Sequence, residues 1–365
     1  MRFIDEFRNK NLIQKTAKSL SAILPERNLN IMEVCGTHTQ SFFRFGLDKI
    51  LPANLKLIAG PGCPVCVSSQ EYIDRAVNLA GREDTIILTF GDMLRIPGTK
   101  SSLEKEKTRF GNVRVVYSAF DSLKVARLNP EKKIVFLAVG FETTAPTIAL
   151  TILSAKKENL KNIFFYSSLK LIPPAMEHLL QDKRLNLDGF LCPGHVSAII
   201  GTKAYEFIPK RYKIGCCVAG FEPLDILEGL YLILRQIIKN KPTVANQYTR
   251  VVTKQGNQKA QKVLERVFEV ADSNWRGFGK IPESGLKIRK EFSEFDAQRE
   301  FQLSSELRVR SSGVKTKCKC ADVLKGLISP RECPLFSKAC TPDNPIGPCM
   351  VSTEGACNAY YKYKR

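Results

Sequence analysis

Apolar positions recur along this chain in two periods, and the alternation between them sets the expected architecture. Residues 3–24 place Phe3, Ile4, Phe7, Leu12, Ile13, Ala17, Leu20 and Ile23 near helical spacing, which predicts an amphipathic opening helix or helix pair. Short apolar runs follow at Leu29–Val34, Leu55–Ala59, Thr85–Phe90, Val113–Tyr117, Ile134–Val139, Ile163–Tyr166, Gly189–Leu191 and Ile214–Val218. Each reads as a strand, and intervening segments such as Ser69–Leu79 read as helices or polar connections. Such alternation predicts a mainly parallel α/β sheet. Leu224–Ile238 is a strongly apolar helix. From Asn246 the texture changes: Val263–Ala271 predicts a helix, Gly277–Leu286 a glycine-bearing loop, and after Ser311 regular periodicity disappears.

The strand ends carry the candidate chemistry. Leu55–Ala59 runs into Gly60-Pro61-Gly62-Cys63-Pro64-Val65-Cys66, a turn presenting two thiols spaced C-x-x-C. Such a pair closes a disulfide or binds one metal ion, and the dipole of the following helix is expected to lower the thiol pKa. Leu29–Val34 ends at Cys35-Gly36-Thr37-His38, where an imidazole three residues on can polarise a thiol or share an ion with it. Open α/β sheets place reactive groups at such junctions. Three further strand ends offer Asp92, Glu142 in Gly140-Phe141-Glu142-Thr143-Thr144-Ala145-Pro146, and His195 after Pro193-Gly194. Thr143 and Thr144 either cap the next helix or meet a ligand. Gly220-Phe221-Glu222 echoes Gly140-Phe141-Glu142 and hints at related units.

With 365 residues, two or three domains are expected. No apolar run is long enough to cross a bilayer and the N-terminus lacks a secretory pattern, so a cytoplasmic protein is expected. In that compartment twelve cysteines point to metal binding or redox chemistry rather than a disulfide framework. The formal charge of +20 is dispersed, without a nucleic-acid motif, and suits an acidic protein partner.

Six cysteines crowd the Pro- and Gly-rich tail: Cys318, Cys320, Cys333, Cys340, Cys349 and Cys357. There are no paired C-x-x-C knuckles of a zinc ribbon. The spacing C-x12-C-x6-C-x16-C through Cys320, Cys333, Cys340 and Cys357 suits a [4Fe-4S] cluster wrapped from several loops. Cys318 and Cys349 then either replace a ligand or form a redox-active pair beside it. The expected fold is two Rossmann-like parallel-sheet α/β domains facing a cleft, spanning 1–120 and 121–240, with a small irregular iron–sulfur domain in 241–365.

Taken together, C-G-T-H at Cys35 to His38, G-P-G-C-P-V-C at Gly60 to Cys66, T-F-G-D-M-L-R-I-P-G at Thr89 to Gly98, G-F-E-T-T-A-P at Gly140 to Pro146 and P-G-H-V-S at Pro193 to Ser197 resemble the HypD family of hydrogenase maturation factors. C-T-P-x-x-P from Cys340 and M-V-S-x-E-G-A-C from Met350 extend the match over nearly the whole chain. The resemblance implies a scaffold, rather than a simple turnover enzyme, that assembles the Fe(CN)2CO group of [NiFe]-hydrogenases with the small partner HypC. Cyanide would come from the thiocarboxamide-bearing HypE, with HypF upstream. It implies that Cys35 helps hold the iron, that Cys63 and Cys66 are redox or iron-binding thiols, and that the [4Fe-4S] cluster supplies electrons. His38, Asp92, Glu142 and His195 would line the same cleft in proton-transfer or orienting roles. Two positions depart from the family pattern: Gln40 replaces a second histidine, and Ala321 replaces a glycine after Cys318-Lys319-Cys320. Two rival readings are a thiol-disulfide oxidoreductase of the ferredoxin-thioredoxin reductase type, which leaves Cys35 idle, and a basic RNA-binding protein with structural zinc.

Overall fold

The computed structural model of the chain describes residues 4–303 and 317–364. Eleven strands are found among them: β1 Leu29–Glu33, β2 Leu55–Ala59, β3 Thr85–Thr89, β4 Val113–Val115, β5 Lys133–Gly140, β6 Ile163–Lys170, β7 Gly189–Pro193, β8 Gly215–Ala219, β9 Val244–Asn246, β10 Phe268–Trp275 and β11 Gly279–Ile288. They form two sheets, ordered β2-β1-β7-β8-β9 and β10-β11-β6-β5-β3-β4. The first is parallel throughout. The second is parallel from β4 to β6 and ends in an antiparallel hairpin of β10 and β11.

Neither sheet is a continuous stretch of chain. β1 and β2 belong to the first sheet, β3 to β6 to the second, β7 to β9 return to the first, and β10 and β11 complete the second. Boundaries at 120 and 240 therefore do not follow the sheets. Hydrophobic runs specify that a strand is buried, not which partner buries it, so chain order is a poor guide to domain membership.

Period-2 side-chain alternation assigns each strand's two faces to different cores. Ile86 and Leu88 pack in an outer core with Phe136 and the helix Ala145–Lys157, whereas Ile87, Val135 and Leu137 face the other way. That second face belongs to a core continuous with Met32 and Val34 of the first sheet and with Cys320, Cys349 and Met350 of the tail. The tail is thus packed between the sheets rather than appended to them. A third core covers the outer face of the first sheet, where the helix Pro223–Ile238 packs over Leu191 and Cys217.

Two local expectations change. The opening helix is Lys10–Ile23, capped by the Asn9 side chain, which accepts from the amides of Asn11 and Leu12 at 3.0 and 3.2 Å; Phe3 lies outside the described residues. The expected helix at Val263–Ala271 ends at Val267, and the glycine-bearing loop is the hairpin arm β11. Along β10 one side chain in two is turned to solvent, with Phe268 and Trp275 buried at its ends. A one-sided strand of that kind carries too few apolar residues to stand out in sequence. Among the described residues no helix is long and apolar enough to cross a membrane.

Candidate functional site

The first sheet changes direction beside β1, with β2 on one side and β7 on the other, and such a switch point opens a crevice at the strands' C-terminal ends. Parallel pairing in the register Glu33↔Ala59 brings the two thiol loops out side by side. Gly60 N donates to Glu33 O at 2.7 Å, and Gly36 N donates to Gly62 O at 3.1 Å. Contact is so close that a Cβ on Gly62 would stand 2.3 Å from Cys35 N and 2.4 Å from its Cα. Cys35 and the loop bearing Cys63 are therefore direct neighbours.

Cys63 and Cys66 are joined in a disulfide with Cα atoms 5.2 Å apart. The expected low-pKa thiols are thus one oxidised pair, which does not titrate. The helix expected to lower them starts at Gln70, with Ser69 as its cap. Cys35 caps the helix Gly36–Arg44 and is buried. Burial, with the nearby carboxylates Glu354 and Glu33, pushes its thiol up to about 12, against opposing hydrogen bonds from the His38 and Thr37 amides.

Two carboxylates that sequence reasoning missed support this loop. Glu33 is buried, accepts from Cys35 N at 2.8 Å and from the Thr39 hydroxyl, and is raised to about 8 by burial. Its signal is a lone charge inside an apolar strand. Glu354 accepts from Thr37 Oγ1 at 2.9 Å, and its backbone packs on Gly36. Ser352 Oγ donates to Asp92 Oδ2 at 2.7 Å, so the exposed Asp92 joins the same constellation through the tail. Glu354 and Ser352 lie within the M-V-S-x-E-G-A-C segment, where the cysteine alone stands out as a metal ligand.

His38 stands one helical turn after Cys35. Its Nε2 donates to Gly220 O at 2.9 Å, while Nδ1 is buried without a hydrogen-bond partner. Burial holds it down to about 4, so the ring is neutral at neutral pH. Phe221 lies between the two histidines, its ring centroid 4.7 Å from His38 and 4.0 Å from His195. Burial also lowers His195. The G-F-E echo marks equivalent places in different sheets, since Phe141 follows β5 and stacks on Trp275 instead.

Glu142 stands apart from the thiol loops. Its Oε1 accepts from Ile172 N at 2.9 Å, Oε2 is buried without a partner, and the residue borders a separate 310 Å³ cavity walled by Leu171, Pro173, Pro174, Ile200 and Leu264. Burial raises its carboxyl to about 7 from an ordinary 4.5. A carboxyl that holds its proton more tightly when folded contributes stability below the unfolded value and loses it as pH rises to the folded one. Glu142→Gln is therefore expected to melt higher than the native chain above pH 7 and no higher near pH 4.5. Thermal unfolding across that range checks this; equal gains at both ends would refute it.

The tail gathers its six cysteines against the same crevice. Cys66 Sγ lies 3.8 Å from the carbonyl oxygen of Pro348, the residue before Cys349. Cys320 Sγ is 2.9 Å from Cys349 Sγ, and Cys349 also meets Cys357. A Cβ on Gly347 would stand 2.7 Å from Cys318 Sγ, and Cys333 and Cys357 act electrostatically on Cys340. Hydrogen bonds from Cys318 and Cys349 hold the Cys320 thiol below its usual value, with Arg276 adding to this. Among the described residues no three or more His, Cys, Asp or Glu side chains are grouped to hold one metal ion.

Thiolate-bound clusters call for backbone donors to sulfur and for a nearby positive charge. Lys319 N donates to Cys333 Sγ at 3.4 Å and Ile346 N to Cys340 Sγ at 3.3 Å. The buried Arg276 guanidinium, with Nη2 lacking a hydrogen-bond partner, supplies the charge. The donor set fits an iron–sulfur cluster.

Fold and site define a class: an α/β protein whose adjacent parallel strand ends bear a buried thiol on one loop and a disulfide on the next, backed by a cysteine-rich tail. The family model for HypD, described as "Hydrogenase formation hypA family", matches residues 10–364. The hydrogenase expression/formation protein HupD of Azotobacter chroococcum mcd 1 is 45% identical over 374 residues, covering 100% of this chain and 97% of that relative. The hydrogenase maturation factor HypD of Azotobacter vinelandii is likewise 45% identical, with the same coverage. HypD of Escherichia coli (strain K12) is 42% identical over 372 residues, covering 100% of this chain and 99% of that relative. The chain belongs to the HypD family of hydrogenase maturation factors.

Proposed function

We propose that this chain is the scaffold on which the Fe(CN)2CO group of [NiFe]-hydrogenases is assembled, in complex with HypC and with cyanide delivered by HypE, itself supplied through HypF. The observation that carries this reading is the contact of Gly62 with the Cys35 backbone, which sets a buried thiol beside a reducible disulfide. Cys35 holds the iron cargo together with the partner. The neutral His38, with its unpartnered Nδ1, and Asp92 and His195 orient groups or move protons around it. Glu142 serves from the neighbouring cavity.

Cyanide release from a donor thiocyanate consumes two electrons. In the reduced state, the Cys63 and Cys66 dithiol plus R–S–C≡N gives the disulfide, R–SH and HCN: one S–S bond forms, one S–C bond breaks, and both thiol protons are accounted for. Cys320, Cys333, Cys340 and Cys357 would hold the [4Fe-4S] cluster, whose chemistry is single-electron supply. Cys349, whose Sγ is 2.9 Å from that of Cys320, stands beside these ligands, and Pro348 before it brings the segment next to Cys66. That proximity also serves the ferredoxin-thioredoxin reductase reading, but there Cys35 has no task.

The test is anaerobic co-purification with HypC, followed by metal analysis and infrared spectroscopy. The expected result is a brown complex with iron in excess of the roughly four atoms of a cluster and infrared bands of bound CN and CO. A complex carrying zinc, or iron without those bands after incubation with HypE and its cyanide source, would sink the proposal.

A further inference from the structure

Arg276 follows β10 and reaches from the hairpin into the cysteine-rich tail. Its backbone N donates to Val67 O at 2.8 Å and its Nε to Ser68 O at 2.8 Å, so it is fixed to the two residues after Cys66. Those bonds leave the far end of the guanidinium unengaged: Nη2 is buried without a hydrogen-bond partner. Among the described residues Arg276 makes no ion pair with a carboxylate. Asp74 acts on it only at a distance, and its oxygens are taken by Thr99 N and Oγ1, each at 2.6 Å.

A buried guanidinium without a counter-ion is strongly disfavoured, so a charge of opposite sign must stand near it. Burial lowers the Arg276 guanidinium, and the groups that oppose this are Cys320 and Cys349, then Asp74 and Cys318. It lines a 430 Å³ cavity together with Gln70, Thr99, Cys318, Cys320 and Gly347. Among the described residues the lining of that cavity carries the thiols of Cys318 and Cys320 and no carboxylate.

We infer that Arg276 is the counter-charge of the C-terminal thiolate set and holds the reduction potential of the cluster bound there above the value the thiolates alone would give. This rests on reading those cysteines as cluster ligands. Reduction adds one electron and one unit of negative charge to a water-poor region, and a fixed cation stabilises that added charge more than it stabilises the oxidised form. Because the Arg276 backbone is tied to Val67 and its Nε to Ser68, the cation keeps one position relative to both sulfur sites. Arg276 is thus a positioning residue acting on electron supply, not a ligand.

The experiment is an electron-paramagnetic-resonance redox titration of the anaerobically reconstituted full chain, native and with Arg276→Gln or Arg276→Lys. Arg276→Gln is expected to lower the midpoint by at least the equivalent of tenfold in the one-electron equilibrium, about 59 mV; Arg276→Lys, which keeps the charge, stays closer to native. Should Arg276→Gln load poorly, iron and acid-labile sulfide content decide the same question: retention with Lys and loss with Gln supports the counter-charge. A fully loaded Gln variant with the native midpoint, or equal shifts or equal losses in both variants, overturns it. A native chain without any iron–sulfur signal overturns the cluster reading as well, and is told apart because it fails before any substitution.

Discussion

Cys35→Ala is expected to strip the complex with HypC of its iron cargo, lowering iron beyond the cluster's own complement by more than about tenfold. Cys35 is the thiol that the register of β1 and β2 sets against the Cys63 loop, and its neighbours Glu33, Thr37 and Glu354 are already engaged with backbone or with one another. Alanine removes the sulfur while leaving the extended backbone at Cys35 and the helix behind it able to form. Circular dichroism and the melting temperature should therefore stay near native while cargo iron falls. Unchanged cargo iron in the purified mutant complex would refute the role given to this residue.

Gly62→Ala should be as damaging by a different route. The added methyl would stand 2.3 Å from Cys35 N, 2.4 Å from its Cα and 2.6 Å from the carbonyl carbon of Val34. These are backbone atoms in a buried junction and cannot swing aside, so the two strand ends must part. Overpacking of this kind costs on the order of 1–3 kcal/mol, and here it also separates thiol from disulfide. Lower stability in denaturant and loss of cargo iron are expected together. Gly81→Ala is the control, because its nearest neighbour lies at 3.5 Å. A Gly62→Ala chain with native stability and full iron would show that the strand ends need not touch.

Much of the site was legible because chemistry-bearing residues stand where apolar runs stop. Cys35, Cys63, Asp92 and His195 each follow a strand end, and that punctuation survives in one dimension. Glu33 and Arg276 did not show in the same way. One is a charge inside a strand, the other a basic residue after an alternating arm, and neither breaks a periodic pattern. Their importance comes from burial without a matching charge, a property of the surroundings and not of the residue. Glu142 shows the converse: its motif is conspicuous, yet its carboxyl opens on a different cavity from the thiols.

Residue order alone established an α/β protein with strand-end thiols and a tail too poor in periodic apolar residues to build its own core, because hydrophobic period and turn chemistry are local. Local information does not extend to sheet membership. Only the folded chain decided that β1 and β2 share a sheet with β7 to β9, that the loop of the disulfide packs on the Cys35 backbone, and that the tail is clamped between two sheets beside Arg276. Those outcomes depend on which surfaces bury one another, and burial is settled by the whole molecule.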